Sequence, residues 1–491
     1  MNAADHVVRA PAASGGVLRT FFAKPKHRVA ALALLFTACW VTAAVKMVDV
    51  TGGSGLAVGV PLAAAPVPLV VGAFLLLTRA RPQPWQHLAF ALSWGAGAGA
   101  LAALYANSWS IEAIVDRSGE ERGELLGLTV VAPFVEEFAK GAAVLLLLLF
   151  RRHWFRGPLD GLVLAATTAA GFAFTENVLY FGRALSEGSA DGEAAKQTAL
   201  VFFGRGILTP FAHPLFTSAT GLALGLAVLA RNRIAAVALG LCGYLVAAGL
   251  HSAWNGSAWK STTDDNGWIM LLVYLLVMAP LLAGVFVLGG KLRGRQLRSV
   301  AQQLPWYVQA GWMTWNEPLV LASVADRGRQ RRAALALYGK PGEKALRQYH
   351  WNATALAELR ARAAEHGADG RFAAEERALL DALWTARPAL EQVLVRTMPQ
   401  PRWTPPPPRY GWPYPPPAWP QPIPAGAPSG GPAAWGPPRP AHQAPTAPAH
   451  WGPATNWGAD RRPALGPGAD PARDSGTASA QGSGTNSSPH G

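Results

Sequence analysis

Apolar residues crowd into one part of this chain, between residues 29 and 290, in runs of about 20. A run of that length, nearly free of charge, matches the hydrocarbon thickness of a bilayer and predicts a membrane-spanning helix. The predicted spans are approximately 29–48, 60–78, 87–107, 125–150, 158–185, 198–230, 234–259 and 268–290. The pattern therefore predicts an all-α fold, a polytopic membrane helix bundle of about eight spans.

Charged residues at the ends of these runs set the predicted orientation. Basic clusters such as Arg79 with Arg81, Arg151 with Arg152, and Arg231 with Arg233 alternate with acidic or neutral connections. Because basic residues favour the cytoplasmic side, this alternation places both termini in the cytoplasm. The net charge of +14 follows from the same bias, so we expect a lipid bilayer as a partner and no nucleic acid.

Composition divides the chain into four predicted regions. They are a basic cytoplasmic N-terminus (1–28), the membrane domain (29–290), a cytoplasmic helical region (291–398) and a Pro/Gly/Trp-rich tail (399–491). Segments 344–366 and 370–386 have the periodicity of amphipathic helices. The tail has too little apolar sequence to bury a core, so we expect it to be disordered. It is either a plain solvated tail or a ligand for a proline-motif-binding partner.

A few polar residues interrupt the apolar spans, and each is costly in hydrocarbon unless it has a partner, a cavity or a function. They are Glu136, Glu137, Lys140, Glu176, Asn177, His213, His251 and Asn255. At 1.5 Å per residue, Glu136 and Glu137 lie about 17 Å below the outer end of their span, and Glu176 and His251 about 12–14 Å below theirs. The spacing therefore predicts one polar layer shared by spans four to seven.

The residue types in this layer suit metal-assisted hydrolysis. Two histidines and a carboxylate form a ligand set suited to zinc, and a second carboxylate can act as a general base on water. Simpler alternatives remain open. Glu136 or Glu137 can form a structural ion pair with Lys140, and each histidine can hydrogen-bond between helices. A proton- or ion-coupled transporter uses the same residue types, and a non-enzymatic scaffold acting through its tail is a third alternative.

The order of the motifs resembles the PrsW family of membrane proteases, which is related to the type II CAAX-prenyl endopeptidases and bacteriocin-processing enzymes. The motifs are Glu136-Glu137-Phe-Ala-Lys140, Phe172-Ala-Phe-Thr-Glu176-Asn177, and single histidines on later spans at His213 and His251. The Asp160-Gly161 pair that precedes the second motif also resembles the family. The resemblance covers about residues 30–290, and residues 125–260 most closely.

This resemblance implies an intramembrane metalloendopeptidase in the plasma membrane of a bacterium, which cleaves a membrane-anchored protein such as an anti-sigma factor. It implies that Glu136 or Glu137 activates water and that Lys140 belongs to the same catalytic group. It further implies that Glu176, His213 and His251 hold a divalent metal, with zinc expected. Asn255 would steady the oxyanion or a ligand. Which of the two adjacent glutamates is the base stays open.

Overall fold

The computed structural model describes residues 25–190, 192–264 and 267–398, and over these residues the regular secondary structure is helical, with no strand. The helices are α1 (Pro25–Ala64), α2 (Val67–Leu75), α3 (Trp85–Ser93), α4 (Ala100–Ser118), α5 (Glu120–Leu126), α6 (Ala132–Phe150), α7 (Pro158–Ala190), α8 (Ala194–Phe202), α9 (Ala212–Ala227), α10 (Arg233–Thr263), α11 (Trp268–Val273), α12 (Ala279–Gln303), α13 (Pro305–Gln309), α14 (Glu317–Leu321), α15 (Val324–His366) and α16 (Phe372–Thr397). Four π-helical turns join consecutive helices, at Trp94–Gly99, Gly127–Val131, Phe203–Leu208 and Tyr274–Met278. Most of the predicted basic N-terminus and the whole predicted tail lie outside the described residues.

Six helical segments in the described part of the chain are long and apolar enough to cross a membrane. They are His27–Leu75, Trp85–Ser118, Pro158–Ser189, Ala194–Ala227, Arg233–Thr263 and Trp268–Gln309. The predicted all-helical, multi-pass architecture is therefore confirmed. Helix α6 is 19 residues long but carries three charged side chains, which set it apart from the six. The predicted number of eight spans stays a prediction.

The first apolar segment folds back on itself at Gly52. Its φ of 70° and ψ of 172° interrupt α1 in a conformation that is essentially restricted to glycine. The contacts of α1 with α7 reverse direction at this point: Trp40 with Phe174, Thr51 with Gly182, and then Gly59 with Val178. The two parts of α1 therefore run antiparallel along α7, and the second part leads into α2.

Helix α7 is the central helix of the bundle. In its most apolar window 78% of the residues are buried, whereas the other five segments reach 6–39%. Glycines bring neighbouring backbones into direct contact with it: a Cβ atom on Gly161 would lie 1.9 Å from the carbonyl oxygen of Gly221 in α9. Small residues at such crossings are the common means of packing helices in membranes. The close packing of α7 against α9 also allows Glu176 of α7 to contact a side chain of α9.

The C-terminal helical region, α13 to α16, has its own hydrophobic core. Leu346, Tyr349 and Leu356 of α15 are buried with Leu380 and Leu390 of α16. These two helices include both segments that the sequence predicts to be amphipathic, and each is longer than predicted.

This region packs directly on the membrane domain. The rings of Trp154 and Trp351 lie 4.4 Å apart between centroids, and the guanidinium of Arg81 reaches Glu358 at 3.1 Å. Residues 76–84 and 151–157, which connect membrane helices, therefore form the platform on which α15 lies.

Candidate active site

Helix α6 presents two adjacent carboxylates and one ammonium group to the interior of the bundle. Lys140 Nζ lies 2.9 Å from Glu137 Oε1 and 3.3 Å from Glu136 Oε2. This contact follows from the helix period, which places residues three and four apart on one face. The side chains of Glu137 and Lys140 are 0% exposed, so the group is removed from both lipid and solvent.

Two histidines from other helices meet this group. His251 of α10 lies with Nδ1 3.1 Å from Glu137 Oε1 and Nε2 3.8 Å from Glu136 Oε2. His213 of α9 lies with Nδ1 3.1 Å from Lys140 Nζ. The two imidazole centroids are 5.1 Å apart, and their planes are nearly perpendicular at 85°. The structure thus brings together residues that are separated by up to 115 positions in sequence.

Glu176 of α7 completes the contact with His213. Its Oε2 lies 2.7 Å from His213 Nε2, so Glu176 and Lys140 contact different nitrogens of one imidazole. Arg205 binds the same carboxylate oxygen at 3.0 Å and donates through Nε to Asn177 Oδ1 at 2.8 Å. Glu176 is more accessible than the α6 glutamates, with 21% of its side chain exposed.

Sequence reasoning missed Arg205, although it is a charged residue within the predicted sixth span. The same criterion that singled out Glu136 and His213 applies to it, since an arginine among apolar residues needs a partner. Its position depends on the π-helical turn Phe203–Leu208, and its guanidinium lies 3.8 Å from the ring centroid of Tyr180. Such turns occur frequently at functional sites.

Three side chains in this cluster can share one metal ion. One donor atom each from Glu136, His213 and His251 lies within 4.8 Å of the others. The resemblance had placed Glu176 in the ligand set, whereas this grouping contains Glu136. The three glutamates of the cluster outnumber its two cations, Lys140 and Arg205, by one. A bound cation would compensate the remaining negative charge.

Two neighbouring polar side chains, Thr217 and Asn255, hydrogen-bond to the cluster or to the π-helical turn before α6. Thr217, four residues after His213, donates its hydroxyl to Glu137 Oε2 at 2.8 Å. Asn255, four residues after His251, donates to the backbone carbonyl of Leu128 at 2.9 Å and ties α10 to the π-helical turn before α6. The predicted oxyanion role of Asn255 stays a prediction, since this contact points its amide at the backbone.

Membrane-embedded metal-dependent hydrolases and proton- or ion-coupled transporters both use buried carboxylates and histidines in a helix bundle. Residues 83–285 match the family model described as PrsW family intramembrane metalloprotease. The resemblance stated from the sequence is thereby confirmed, and the match implies a hydrolase that acts on peptide bonds with a divalent metal. Searches of curated proteins and of solved structures gave no match.

Proposed function

We propose that the chain is an intramembrane metal-dependent endopeptidase that cleaves a membrane-anchored protein substrate, such as an anti-sigma factor. The observation that carries this proposal is the donor cluster of Glu136, His213 and His251, whose ligand atoms lie within 4.8 Å of one another. All three residues fall inside the matched region 83–285. The substrate follows from the membrane location, because a site this deep reaches only a substrate that enters the bilayer.

The same proposal includes eight spans, with both termini in the cytoplasm of a bacterium and the site in spans four to seven. The reversal at Gly52 supports it, because it divides the first apolar segment into two antiparallel parts. Helix α6 supports it as well. Its 19 residues match the length of a span, and its three charged side chains, Glu136, Glu137 and Lys140, are turned inward to their partners.

Glu136, His213 and His251 fit a divalent metal, and zinc suits two imidazoles with one carboxylate. Asn107 adds to this fit. Its amide nitrogen lies 3.4 Å from Glu136 Oε1, while its buried amide oxygen has no hydrogen-bond partner among the described residues. A metal held by these residues would polarise the scissile carbonyl as a Lewis acid and activate water.

Glu137 and Lys140 position the cluster. Glu137 Oε1 lies at hydrogen-bond distance from His251 Nδ1, so Nδ1–H donates to this carboxylate and Nε2 keeps its lone pair for a metal. Both oxygens of Glu137 are occupied, one by Lys140 and His251 and the other by Thr217. Because Glu137 is also fully buried, an orienting role suits it better than contact with water.

Glu176 is then the best-placed general base. Its side chain is 21% exposed, against 8% for Glu136 and 0% for Glu137, so it has the most direct access to a water molecule. We propose that Glu176 accepts a proton from the attacking water while the water oxygen bonds to the carbonyl carbon. It then delivers that proton to the amide nitrogen as the C–N bond breaks. Arg205 and His213 hold the carboxylate in place for this transfer.

Glutamine variants of Glu136 and Glu176 test these two roles. The full chain is reconstituted in vesicles with a single-span protein that the wild-type enzyme cleaves, and bound metal is measured on the same samples. We expect Glu136→Gln to lose both metal and cleavage, and Glu176→Gln to keep metal and lose cleavage by a factor of about 10²–10⁴. If Glu136→Gln kept its metal and Glu176→Gln lost it, the metal ligands would be Glu176, His213 and His251, as the resemblance implies. Full cleavage in Glu136→Gln, Glu176→Gln, His213→Ala and His251→Ala would overturn the protease itself.

The transporter alternative uses the same buried residues but predicts proton or ion flux across vesicles and no tightly bound metal. The family match favours the protease.

A further inference from the structure

A cavity of about 490 Å³ lies where the C-terminal helical region meets the end of α2, away from the glutamate and histidine cluster. Its wall includes Arg79, Ala80 and Pro82 on one side, and on the other side the first turns of α15 together with Arg347 and His350. Six arginines and no acidic residue line it: Arg79, Arg327, Arg329, Arg331, Arg332 and Arg347. We refer to these six residues as the arginine cavity.

Only part of this positive charge is compensated. Arg329 pairs with Asp326, and Arg347 pairs with Glu343 at 2.7 Å. Arg79, Arg331 and Arg332 make no ion pair with any described residue. Burial lowers the pKa of Arg331, and the neighbouring guanidinium of Arg347 lowers it further, which is the mark of crowded like charges.

Arg327 forms the buried part of the wall. It is 3% exposed, and its guanidinium donates to three neutral oxygens: Leu321 O at 2.6 Å, Thr354 Oγ1 at 2.9 Å and the carbonyl of Ala80. It makes no ion pair with a described carboxylate. Burial lowers its pKa to about 9, and the carboxylate of Glu358 opposes this effect only in part. A buried charge without a directly paired counter-ion is costly, so an anion in the cavity would relieve this cost.

We propose that the arginine cavity is a binding site for an anion that carries at least two phosphate groups. Guanidinium groups match phosphate oxygens in a bidentate manner, and the volume exceeds what a single phosphate fills. A phospholipid headgroup and a soluble oligophosphate share this chemistry. Arg79 follows α2 by four residues, which places the cavity at the end of a membrane helix, where either source can reach it.

A bound anion would stabilise the contact between the C-terminal helical region and the membrane domain. Ala80 accepts the hydrogen bond from Arg327, and the next residue, Arg81, binds Asp160 at the start of α7. The anion would therefore bridge α15 and the connection that holds the central helix. This site is independent of the proposed proteolysis, because none of its residues belongs to the glutamate and histidine cluster.

Thermal unfolding of the full chain with two probes tests the site. In one arm inorganic pyrophosphate is titrated into detergent-purified protein at constant ionic strength. In the other arm the protein is compared in phosphatidylcholine nanodiscs with and without cardiolipin. We expect the wild type to be stabilised in at least one arm, since a ligand that binds only the folded state raises the unfolding midpoint. Stabilisation by pyrophosphate alone identifies a soluble oligophosphate, and stabilisation by cardiolipin alone identifies a lipid headgroup.

The double variant Arg331→Gln with Arg332→Gln removes two cavity charges that make no ion pair with a described residue. We expect its apparent Kd for pyrophosphate to rise about tenfold or more, or its response to cardiolipin to disappear. The matched control is Arg377→Gln with Arg396→Gln, two exposed arginines of α16 outside the cavity, which should respond as the wild type does. No stabilisation of the wild type in either arm, or equal losses in both double variants, would overturn the site.

Discussion

The guanidinium of Arg81 and the carboxylate of Asp160 lie 2.7 Å apart, and each side chain is only 1% exposed. The backbone N–H groups of Arg156 and Gly157 donate to the same carboxylate oxygen. Arg81 also binds Glu358 of α15 at 3.1 Å. One buried ion pair therefore joins the connection after α2, the start of the central helix and the C-terminal helical region.

Replacing Asp160 by Asn should strongly destabilise the protein. The change leaves the positive charge of Arg81 buried with Glu358 as its remaining partner. Breaking a buried ion pair costs about 3–5 kcal/mol of unfolding free energy. Denaturant unfolding in mild detergent measures this loss. Glu193→Gln is the matched control, because Glu193 forms an exposed pair with Lys196 at 3.0 Å and should cost less than about 1 kcal/mol. Equal effects of the two substitutions would show that burial of the Arg81 pair has no energetic importance.

The reversal of α1 should depend on Gly52 alone. An alanine at Gly52 must adopt φ near 70°, which costs about 1–3 kcal/mol, although no atom lies within 4 Å of the added methyl group. Gly53 has equally open surroundings but lies in the helix, so Gly53→Ala should be neutral or stabilising by up to about 1 kcal/mol. Comparing the thermal unfolding of the two variants separates the cost of the positive φ from the effect of adding a methyl group. A Gly52→Ala protein as stable as Gly53→Ala would contradict the positive φ.

Arg205→Gln should reduce peptide cleavage about 10–100-fold and leave the metal content unchanged. Arg205 binds Glu176 and Asn177 but none of Glu136, His213 and His251, so it positions the proposed base and not a proposed ligand. The measurement is kcat for a single-span substrate together with metal analysis of the same preparation.

Arg183→Gln is the control for this prediction, since Arg183 is an exposed arginine on α7 and should keep wild-type activity. Loss of metal from Arg205→Gln would instead place Glu176 among the ligands.

The C-terminal helical region should lose stability in mild acid because of His350. Burial lowers the pKa of His350 well below 6.5, and Arg327 and Arg331 lower it further. Its ring hydrogen-bonds Gln330 at 2.8 Å as a neutral imidazole. The unfolded chain therefore binds a proton that the folded chain does not, and stability falls as the pH drops below about 6.5.

His350→Asn should remove that part of the acid sensitivity, whereas His366→Asn, at an exposed position, should keep it. The unfolding free energies of both variants and of the wild type are compared at pH 7.5 and pH 5. An unchanged acid loss in His350→Asn would exclude His350 as its source.

Local sequence rules predict a large part of this site. The contact between Glu137 and Lys140 follows from helix period alone, and the cost of burying charge singled out His213 and His251 before their positions were known. Arg205 obeys the same rule and was recognisable by it. The length of the apolar runs also predicts a multi-pass helical architecture, which the six apolar helical segments of the described residues confirm; the number of eight spans stays a prediction.

The finer arrangement depends on contacts that a single sequence does not contain. Which glutamate meets both histidines is decided by how α6, α9 and α10 are rotated against one another, and that rotation depends on packing between distant residues. The ion pair of Arg81 with Asp160 joins positions 79 residues apart in sequence. The sequence signals that Asp160 matters through its motif, but not that its partner is Arg81.

Backbone contact between α7 and α9 also limits how a substrate reaches Glu176. A Cβ atom on Gly225 would lie 2.4 Å from Pro158, one on Gly221 would lie 2.4 Å from Gly161, and His213 meets Glu176 at 2.7 Å further along. The seam between these helices is therefore shut over that length, and an extended peptide has no passage through it. Next to Glu176, the side chains of Tyr180 and Arg205 are exposed and partly exposed, respectively. Under the proposed function, a substrate that approaches from this side would contact the aromatic ring and the guanidinium before the carboxylate. These two side chains would then influence which peptides reach Glu176 for cleavage.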